Sequence, residues 1–540
     1  MRVVLISPYD DRCYGLRIIA SILRRHGHEV WLIVFKQFVS KPATREQLEA
    51  VRHPGAGRSS PVTETLEEGN FICCTIEPIT DAEWQLLMEK LNEYRPALIG
   101  IALTTPTVGA GREITTRIKR EFPKVPIVWG GIHPTINPEE CVQWADMICQ
   151  GEGEHPMVEL AQDPERTDVL GIWRRTKDTI IRNPIRPLEQ NLDGLPYASW
   201  GQNELLIDWN RNVPLPASNR PYFRGIFFTM TQRGCPFSCT YCFNHLRKAQ
   251  HKGERYVRRR SVDNVLTECE QRMRDFDLPG FAFMDDVLVK DREWLEEFAE
   301  KYPRRIGLPF GGYAHPSLSD EAMIRLLVGV GLRFITLGIQ SGSRYIAHEV
   351  YNRRHSFEGI LELARWGEKY GLDVNYDLLS NCDYESEADC LETLSLLHQL
   401  PRARLIQVKG LGVFPPMQIA TLNLPKHCLP EATFEFWNTL YLMMRHKHVI
   451  PGEQLLALGQ DEYLKTHPET LRAVALAFKQ LDAQTIANQE EADRLGRELN
   501  SASVRGFLRY GKRLIGRWLP RPLADGIRQL LGRLKAAFHR

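Results

Sequence analysis

Apolar residues along the first third of the chain come in short blocks separated by amphipathic stretches, a rhythm that predicts alternating strands and helices. Arg2 to Ser7 reads as a strand, about Leu16 to His26 as an amphipathic helix and Glu29 to Phe35 as a second strand, which makes a βαβ opening. A polar, glycine-containing excursion runs from Lys41 to Gly69. The pattern then resumes with helix Asp81 to Tyr94, strand Ala97 to Leu103, helix Gly111 to Phe122 and strand Pro126 to Trp129, which ends in Gly130-Gly131. A short strand near Met147 to Gln150 ends in Gly151-Glu152-Gly153-Glu154. Such alternation specifies an α/β fold with a doubly wound, Rossmann-like parallel sheet whose ligands sit beyond the strand C-termini.

From about Asp163 to Arg224 the periodicity is weak and prolines are frequent, so this stretch reads as a linker. A second alternating series begins at Ile226, with strands expected at 226–232, 281–285, 308–313, 333–339, 372–378 and 404–413. Helical stretches such as Val262 to Asp275 and Phe357 to Tyr370 separate them. Six such units predict a partial (β/α)6 TIM-like barrel, shorter than the usual eight-unit form. From about Ala432 the pattern is helical only. The expected organisation is therefore residues 1–162, a linker 163–224, a barrel 225–415, a helical region 416–500 and a tail 501–540.

Composition changes this picture little. A chain of 540 residues with 43% hydrophobic and 25% charged content is an ordinary globular protein, and a formal charge of +2 gives no reason to expect nucleic acid as a partner. Twelve cysteines with no apolar run of membrane-spanning length and no signal peptide point to a reducing, cytoplasmic setting. Charge matters only at the tail, where residues 501–540 hold ten Lys or Arg against one acid, Asp525. Val504, Phe507, Leu508, Leu514, Ile515, Trp518 and Leu519 share one helical face there, and basic residues the other, a pattern that suits peripheral contact with anionic membrane or packing on the barrel.

Chemistry enters at Gly234-Cys235-Pro236-Phe237-Ser238-Cys239-Thr240-Tyr241-Cys242. A C-x3-C-x2-C triplet can hold three irons of a 4Fe-4S cluster and leave the fourth open to a substrate or cosubstrate. Zinc is the alternative, but its sites show paired cysteines with a second pair downstream, and only His245 lies nearby. With Tyr241 before the last cysteine, the loop resembles the signature of the radical S-adenosylmethionine superfamily. That resemblance implies a 4Fe-4S cluster on Cys235, Cys239 and Cys242, with S-adenosylmethionine chelating the open iron and yielding a 5'-deoxyadenosyl radical on reduction, and an electron donor such as flavodoxin or ferredoxin.

The same resemblance extends along the strand ends. Phe283-Met284-Asp285-Asp286 corresponds to a polar segment that meets the methionine amino group, which implies Asp285 and Asp286 as contacts. Gly338-Ile339-Gln340-Ser341-Gly342 is similar to a segment whose Gln340 position reaches the ribose. The resemblance implies Arg353 at the methionine carboxylate and Asp377 at the ribose. Asn381-Cys382-Asp383-Tyr384-Glu385 departs from the proline-containing loop of relatives, and His315 stands where relatives often carry arginine, as either a substrate contact, a proton carrier or a packed loop residue.

In the first domain, Asp10-Asp11-Arg12-Cys13-Tyr14-Gly15 resembles the D-x-H-x-x-G loop of cobalamin-binding domains with the histidine replaced. Arg12 has no free lone pair for cobalt. With Asp10 and Gly15, the residues Thr104, Thr105, Gly130, Gly131, His133, Gly151 and Glu152 complete the implied cobalamin contacts. Roughly residues 1 to 415 are thus similar to radical S-adenosylmethionine enzymes with a cobalamin domain, which implies methylation of an unactivated carbon of a hydrophobic, lipid-like or natural-product small molecule. The alternatives are a cyclisation, rearrangement or oxidation without methyl transfer, and a non-catalytic cobalamin or redox sensor.

Overall fold

The computed structural model describes residues 1–37, 39–42, 65–67, 70–75, 78–201, 203–208, 226–288, 291–414, 416–447, 452–472 and 474–475. Strands β1 (Arg2–Pro8) and β2 (Glu29–Phe35) open the chain, and β3 (Val39–Pro42), β4 (Thr65–Glu67) and β5 (Asn70–Thr75) make a small antiparallel sheet in the polar excursion. β6 (Leu98–Ala102), β7 (Ile127–Gly130), β8 (Met147–Cys149), β9 (Ile172–Arg175), β10 (Ile180–Arg182) and β11 (Glu204–Ile207) join β1 and β2 in an eight-stranded sheet. Its order is β10-β9-β8-β7-β6-β1-β2-β11, parallel except for β9 and β10.

Val3, Val4, Leu5 and Ile6 of β1 are fully buried because helices cover both faces of the sheet. Val3 and Leu5 meet the helices Tyr14–Arg25 and Glu154–Gln162, while Val4 and Ile6 meet Asp81–Tyr94 and Val108–Glu121. The Asp81 start is set by a capping box between Thr80 and Glu83. The next helix begins at Val108, earlier than Gly111, because a 3-10 turn over Thr105–Thr107 lets the chain coil at once after β6.

The described part of the expected linker, residues 163–201 and 203–208, contributes strands to the first sheet. β9 and β10 form a hairpin on the β8 edge and β11 adds a parallel strand beside β2, so both borders of the sheet come from this stretch. At three or four residues each, these strands are too short to show alternation. Arg17 binds the segment to the first helix. Its guanidinium is buried, donates to the carbonyls of Asp11, Arg12 and Ser199, ion-pairs with Glu204 and stacks on Trp200 at 3.7 Å.

The second sheet is all parallel, with β12 (Phe227–Thr229), β15 (Phe281–Phe283), β16 (Phe310–Ala314), β17 (Leu332–Gln340), β18 (Asp373–Ser380) and β19 (Leu405–Gly410) in sequential order. The intervening helices pack outside, making the open six-stranded barrel expected. Ile335, Leu337 and Ile339 of β17 point outward into that helical layer, which leaves Thr336, Gly338 and Gln340 facing inward. The floor is closed by Phe334, whose ring an added Cβ at Gly311 would meet at 2.3 Å.

The first barrel strand stops at Thr229 rather than 232. Gln232–Arg233 (β13) turns away to pair antiparallel with Arg258–Arg259 (β14), so the cysteine loop hangs from a separate ribbon. β19 likewise ends at Gly410 rather than 413. Helices Glu431–Met443, Gly452–Leu458 and Glu462–Thr466 then cover the barrel, with Phe436, Trp437 and Tyr441 in its core. Among the described residues no helix is long and apolar enough to cross a membrane, and the tail 501–540 lies outside them.

Removing Glu204 strands a buried guanidinium. Glu204→Ala is expected to cost about 3–5 kcal/mol of stability, read as a lowered urea midpoint; an unchanged midpoint shows that Arg17 finds other partners.

Candidate active site

The cysteine loop sits at the C-terminal mouth of the barrel and is held from three sides. Thr240 donates its N–H to Tyr351 O at 3.0 Å and its hydroxyl to Val350 O at 2.6 Å, Asn352 Nδ2 donates to Ser238 O at 3.0 Å, and Lys248 Nζ donates to Pro236 O at 2.8 Å. Cys239 is buried, while Cys235 and Cys242 are partly open. Burial pushes the Cys235 thiol up to about 12, so metal ligation must displace its proton.

His245 is committed to structure. Its Nδ1 bonds the Cys242 carbonyl at 2.5 Å and its Nε2 accepts from the Gln418 N–H at 3.3 Å. Among the described residues no three His, Cys, Asp or Glu side chains are gathered around a point that could hold one ion. A cluster asks for another arrangement, since each of the three thiolates serves a different iron.

Gly234 makes the turn into the loop possible. Its φ is +90°, and a Cβ there would lie 2.4 Å from the Tyr256 carbonyl oxygen. Tyr241 is turned edge-on to Tyr351 at 5.0 Å. Phe237 stacks on His315 at 4.0 Å. His315 is pushed down to about 2 by burial, with Arg353 and His355 adding to the effect, and its Nδ1 accepts from the Ser317 N–H at 3.2 Å. Its Nε2 is buried without a hydrogen-bond partner.

Around the loop stand the residues expected to meet the cosubstrate. Arg353 donates to Gly338 O at 2.7 Å and approaches Cys239 Sγ at 4.0 Å. A bulge between Gly338 and Gln340, with Gln340 at φ +69°, re-aims the end of β17. Asp377 pairs with Lys409 Nζ at 2.7 Å. Arg353 Nε, Asn375 Oδ1, Asp377 Oδ1 and Asn381 Nδ2 are buried without a hydrogen-bond partner. Buried polar atoms are rarely left so, and a ligand bearing ammonium, carboxylate and hydroxyl groups would satisfy them, which is the functionality of S-adenosylmethionine.

The two adjacent aspartates part ways. Asp285 accepts from Thr231 N at 2.7 Å, Thr231 Oγ1 at 2.5 Å and Gln232 N at 3.0 Å, so its carboxylate shapes the strand end. Burial outweighs these bonds and lifts it to about 6. Asp286 instead lines a cavity of about 380 Å³ between the two domains.

That cavity is where the first domain's glycines gather. Gly15, Gly130, Gly131, Gly151, Glu152 and Gly153 line it, together with Gly100, which the sequence did not single out. Gly131 at φ +98° could not carry a Cβ, which would meet Leu103 O at 2.7 Å. The missing side chains leave room for a bulky planar group against the strand ends, so the residues fit cobalamin. Thr104, Thr105 and His133 do not line it. Thr104 donates its N–H to Thr107 Oγ1 at 3.0 Å, and His133 Nδ1 bonds Thr105 Oγ1 at 3.1 Å, with burial lowering the imidazole. Asp10 caps its own loop through Arg12 N at 3.0 Å, and the Arg12 guanidinium covers the Phe228 ring at 4.2 Å.

Glu152 has a further task that the sequence hid. It ion-pairs with Arg233 at 3.0 Å and Arg258 at 2.9 Å across the domain boundary, and Glu154 takes the second arm of Arg233 at 2.6 Å. Burial alone would raise the Glu152 carboxyl, but the two arginines hold it down at about 2. Arg233 was legible only as the residue two before Cys235, and Lys409 only as an inward position on the last strand.

Comparison with known proteins agrees with this geometry. A model of the B12 binding domain matches residues 72–161 and a model of the Radical SAM superfamily matches residues 229–397. The chain thus carries, one after the other, the two domains that these models describe, a B12 binding domain and a Radical SAM domain. It is 27% identical over 47% of its length to an anaerobic magnesium-protoporphyrin IX monomethyl ester cyclase of Rubrivivax gelatinosus, of which it spans 46%, about half. It is 22% identical over 69% of its length to an uncharacterized methyltransferase of Pyrococcus horikoshii, of which it spans 79%. In fold it resembles the radical S-adenosylmethionine methyltransferase TsrM of Kitasatospora setae, with a TM-score of 0.57 and 19% identity, covering 78% of this chain and 75% of that one.

The Gly234 turn can be tested against Gly253, which has a similar φ of +92° but nothing within 4 Å of an added Cβ. Gly253→Ala reports backbone strain alone, about 1–3 kcal/mol. Gly234→Ala is expected to lose its cluster at clearly lower urea than Gly253→Ala, measured by absorbance of the bound iron; equal loss shows that the Tyr256 contact yields.

Proposed function

We propose that this chain cleaves S-adenosylmethionine reductively and, with cobalamin, methylates an unactivated carbon of a hydrophobic small molecule. The observation that carries the reading is that both flanks of the cysteine loop, Arg233 and Gly234 before it and Phe243, Asn244 and Arg247 after it, stand in the wall of the cavity that the B12-binding domain presents to the barrel. When bound, the cluster would supply the electron that opens the sulfonium and cobalamin would supply methyl-transfer chemistry. The protein's share is positioning. Cys235, Cys239 and Cys242 hold the cluster, Arg353, Gln340 and the Asn375–Asp377 pair orient the cosubstrate, and the glycine-lined strand ends receive the corrin. Flavodoxin or ferredoxin is the proposed electron source.

A second cavity of about 240 Å³, lined by Arg12, Tyr14, Trp200, Phe228, Met230 and Met284, shares Tyr14 and Met230 with the first. Its apolar lining supports a hydrophobic substrate. The cyclase relative favours a second reading, ring closure without methyl transfer. Methylation is preferred because the chain spans 79% of the methyltransferase relative and only 46% of that cyclase.

Anaerobic protein reconstituted with iron and sulfide is expected to bind cobalamin and to release 5'-deoxyadenosine from S-adenosylmethionine, while Cys239→Ala does neither the cleavage nor full iron uptake. Label from methyl-13C S-adenosylmethionine in the product establishes methylation, and an unlabelled product establishes the second reading. Cleavage by Cys239→Ala at full iron content overturns both.

The +9 charge of residues 501–540 further supports peripheral membrane contact, where a lipid-like substrate would be met. Full-length protein is expected to cosediment with anionic vesicles at low salt and to lose that binding when residues 501–540 are removed. Binding that persists without them, or none at all, refutes the contact.

A further inference from the structure

Both flanks of the cysteine loop form part of the cobalamin cavity. Arg233 precedes Cys235 by two positions, and Asn244 and Arg247 follow Cys242; all three line the cavity opposite Gly131 and Gly151. The wall that receives one cofactor is thus the same piece of chain that holds the other.

Asn244 makes the connection direct. It is 4% exposed, and its Nδ2 donates to Cys242 Sγ at 3.6 Å. The same residue lines the cavity together with Asp286, and its Oδ1 accepts from the Tyr256 hydroxyl at 2.7 Å. One amide therefore joins a cluster ligand to the wall of the corrin space. Arg233 supplies a parallel connection, because its guanidinium holds Glu152 and Glu154 on the turn that forms the opposite wall.

We propose that the cluster and cobalamin bind cooperatively, coupled through Asn244 and assisted by Arg233. The inference rests on the proposed function, which assigns both groups to these sites. An N–H···S bond strengthens when the thiol becomes an iron-bound thiolate. Cluster assembly therefore fixes the Asn244 side chain, which is itself part of the wall that cobalamin must meet. Filling the cavity from the other side restrains the same amide and the ribbon β13, so each group lowers the ordering cost of the other. Coupling of this kind is reciprocal by thermodynamic necessity.

The test is titration of hydroxocobalamin into full-length protein, followed by absorbance under anaerobic conditions, with the cluster assembled and after a chelator has removed the iron. Cluster-loaded protein is expected to bind about tenfold more tightly. Iron retention under chelator challenge is expected to rise when cobalamin is bound. Asn244→Asp preserves the shape and the acceptor for Tyr256 but removes the N–H donors, and it should bring the affinity ratio towards one while the three cysteines still take up iron. Equal affinity in cluster-loaded and iron-free wild-type protein overturns the coupling, and an undiminished ratio in Asn244→Asp overturns the route through Asn244. Wild-type protein that assembles the cluster yet takes up no cobalamin overturns the proposed function itself.

Discussion

Glu152 and Glu154, on the turn after β8, meet Arg233 and Arg258, on the ribbon that carries the cysteine loop, in surroundings where the four side chains are between 1% and 20% exposed. Bringing four charges out of water is costly, and the attraction repays it only when each carboxylate and guanidinium is fully engaged. That condition is met here. Arg258 also donates to Glu189 O at 2.8 Å, and the Glu189 N–H donates to Glu152 at 2.9 Å. Because few other arrangements satisfy all four groups, the two domains are fixed in a single orientation. The C-terminal ends of both sheets then face one space, and the placement of every candidate ligand follows from this.

Much of the architecture was legible because local chemistry marks it. Ser261 accepts from the Asn264 N–H and starts the helix Val262–Asp275 where the periodicity begins, and Thr80 does the same at Asp81. The cysteine loop was equally plain, since ligand spacing is itself sequence information. The hub was not, because Glu152 and Arg258 lie 106 positions apart and Glu154 and Arg233 lie 79 apart. Nor does a pair such as Asp285-Asp286 reveal which carboxylate faces the interdomain cavity; Thr231, in the turn between β12 and β13, holds Asp285 and leaves Asp286 to the cavity.

Thr104, Thr105 and His133 show another limit. They occupy the loops expected to receive a corrin, yet the Thr104 hydroxyl bonds Thr107, and His133 meets Thr105, Asn137 and Glu140. Side-chain capping and ligand contact draw on the same residue types, so composition alone cannot separate them. Gly131 is a different case. Gly131 has a backbone conformation and a clearance that other residues could not share, and a residue with one physical reason for its presence is easier to read than one with several.

The strands drawn from the supposed linker bear on how the first domain could exist alone. β9 and β10 cover one border of its sheet and β11 the other. A fragment ending at Gln162 would leave the backbone of β8 and β2 unpaired at both margins, two sticky templates for intermolecular strand addition. The stretch matched as a B12 binding domain, residues 72–161, is therefore smaller than the sheet it belongs to, which begins at β1 and extends through Ile207.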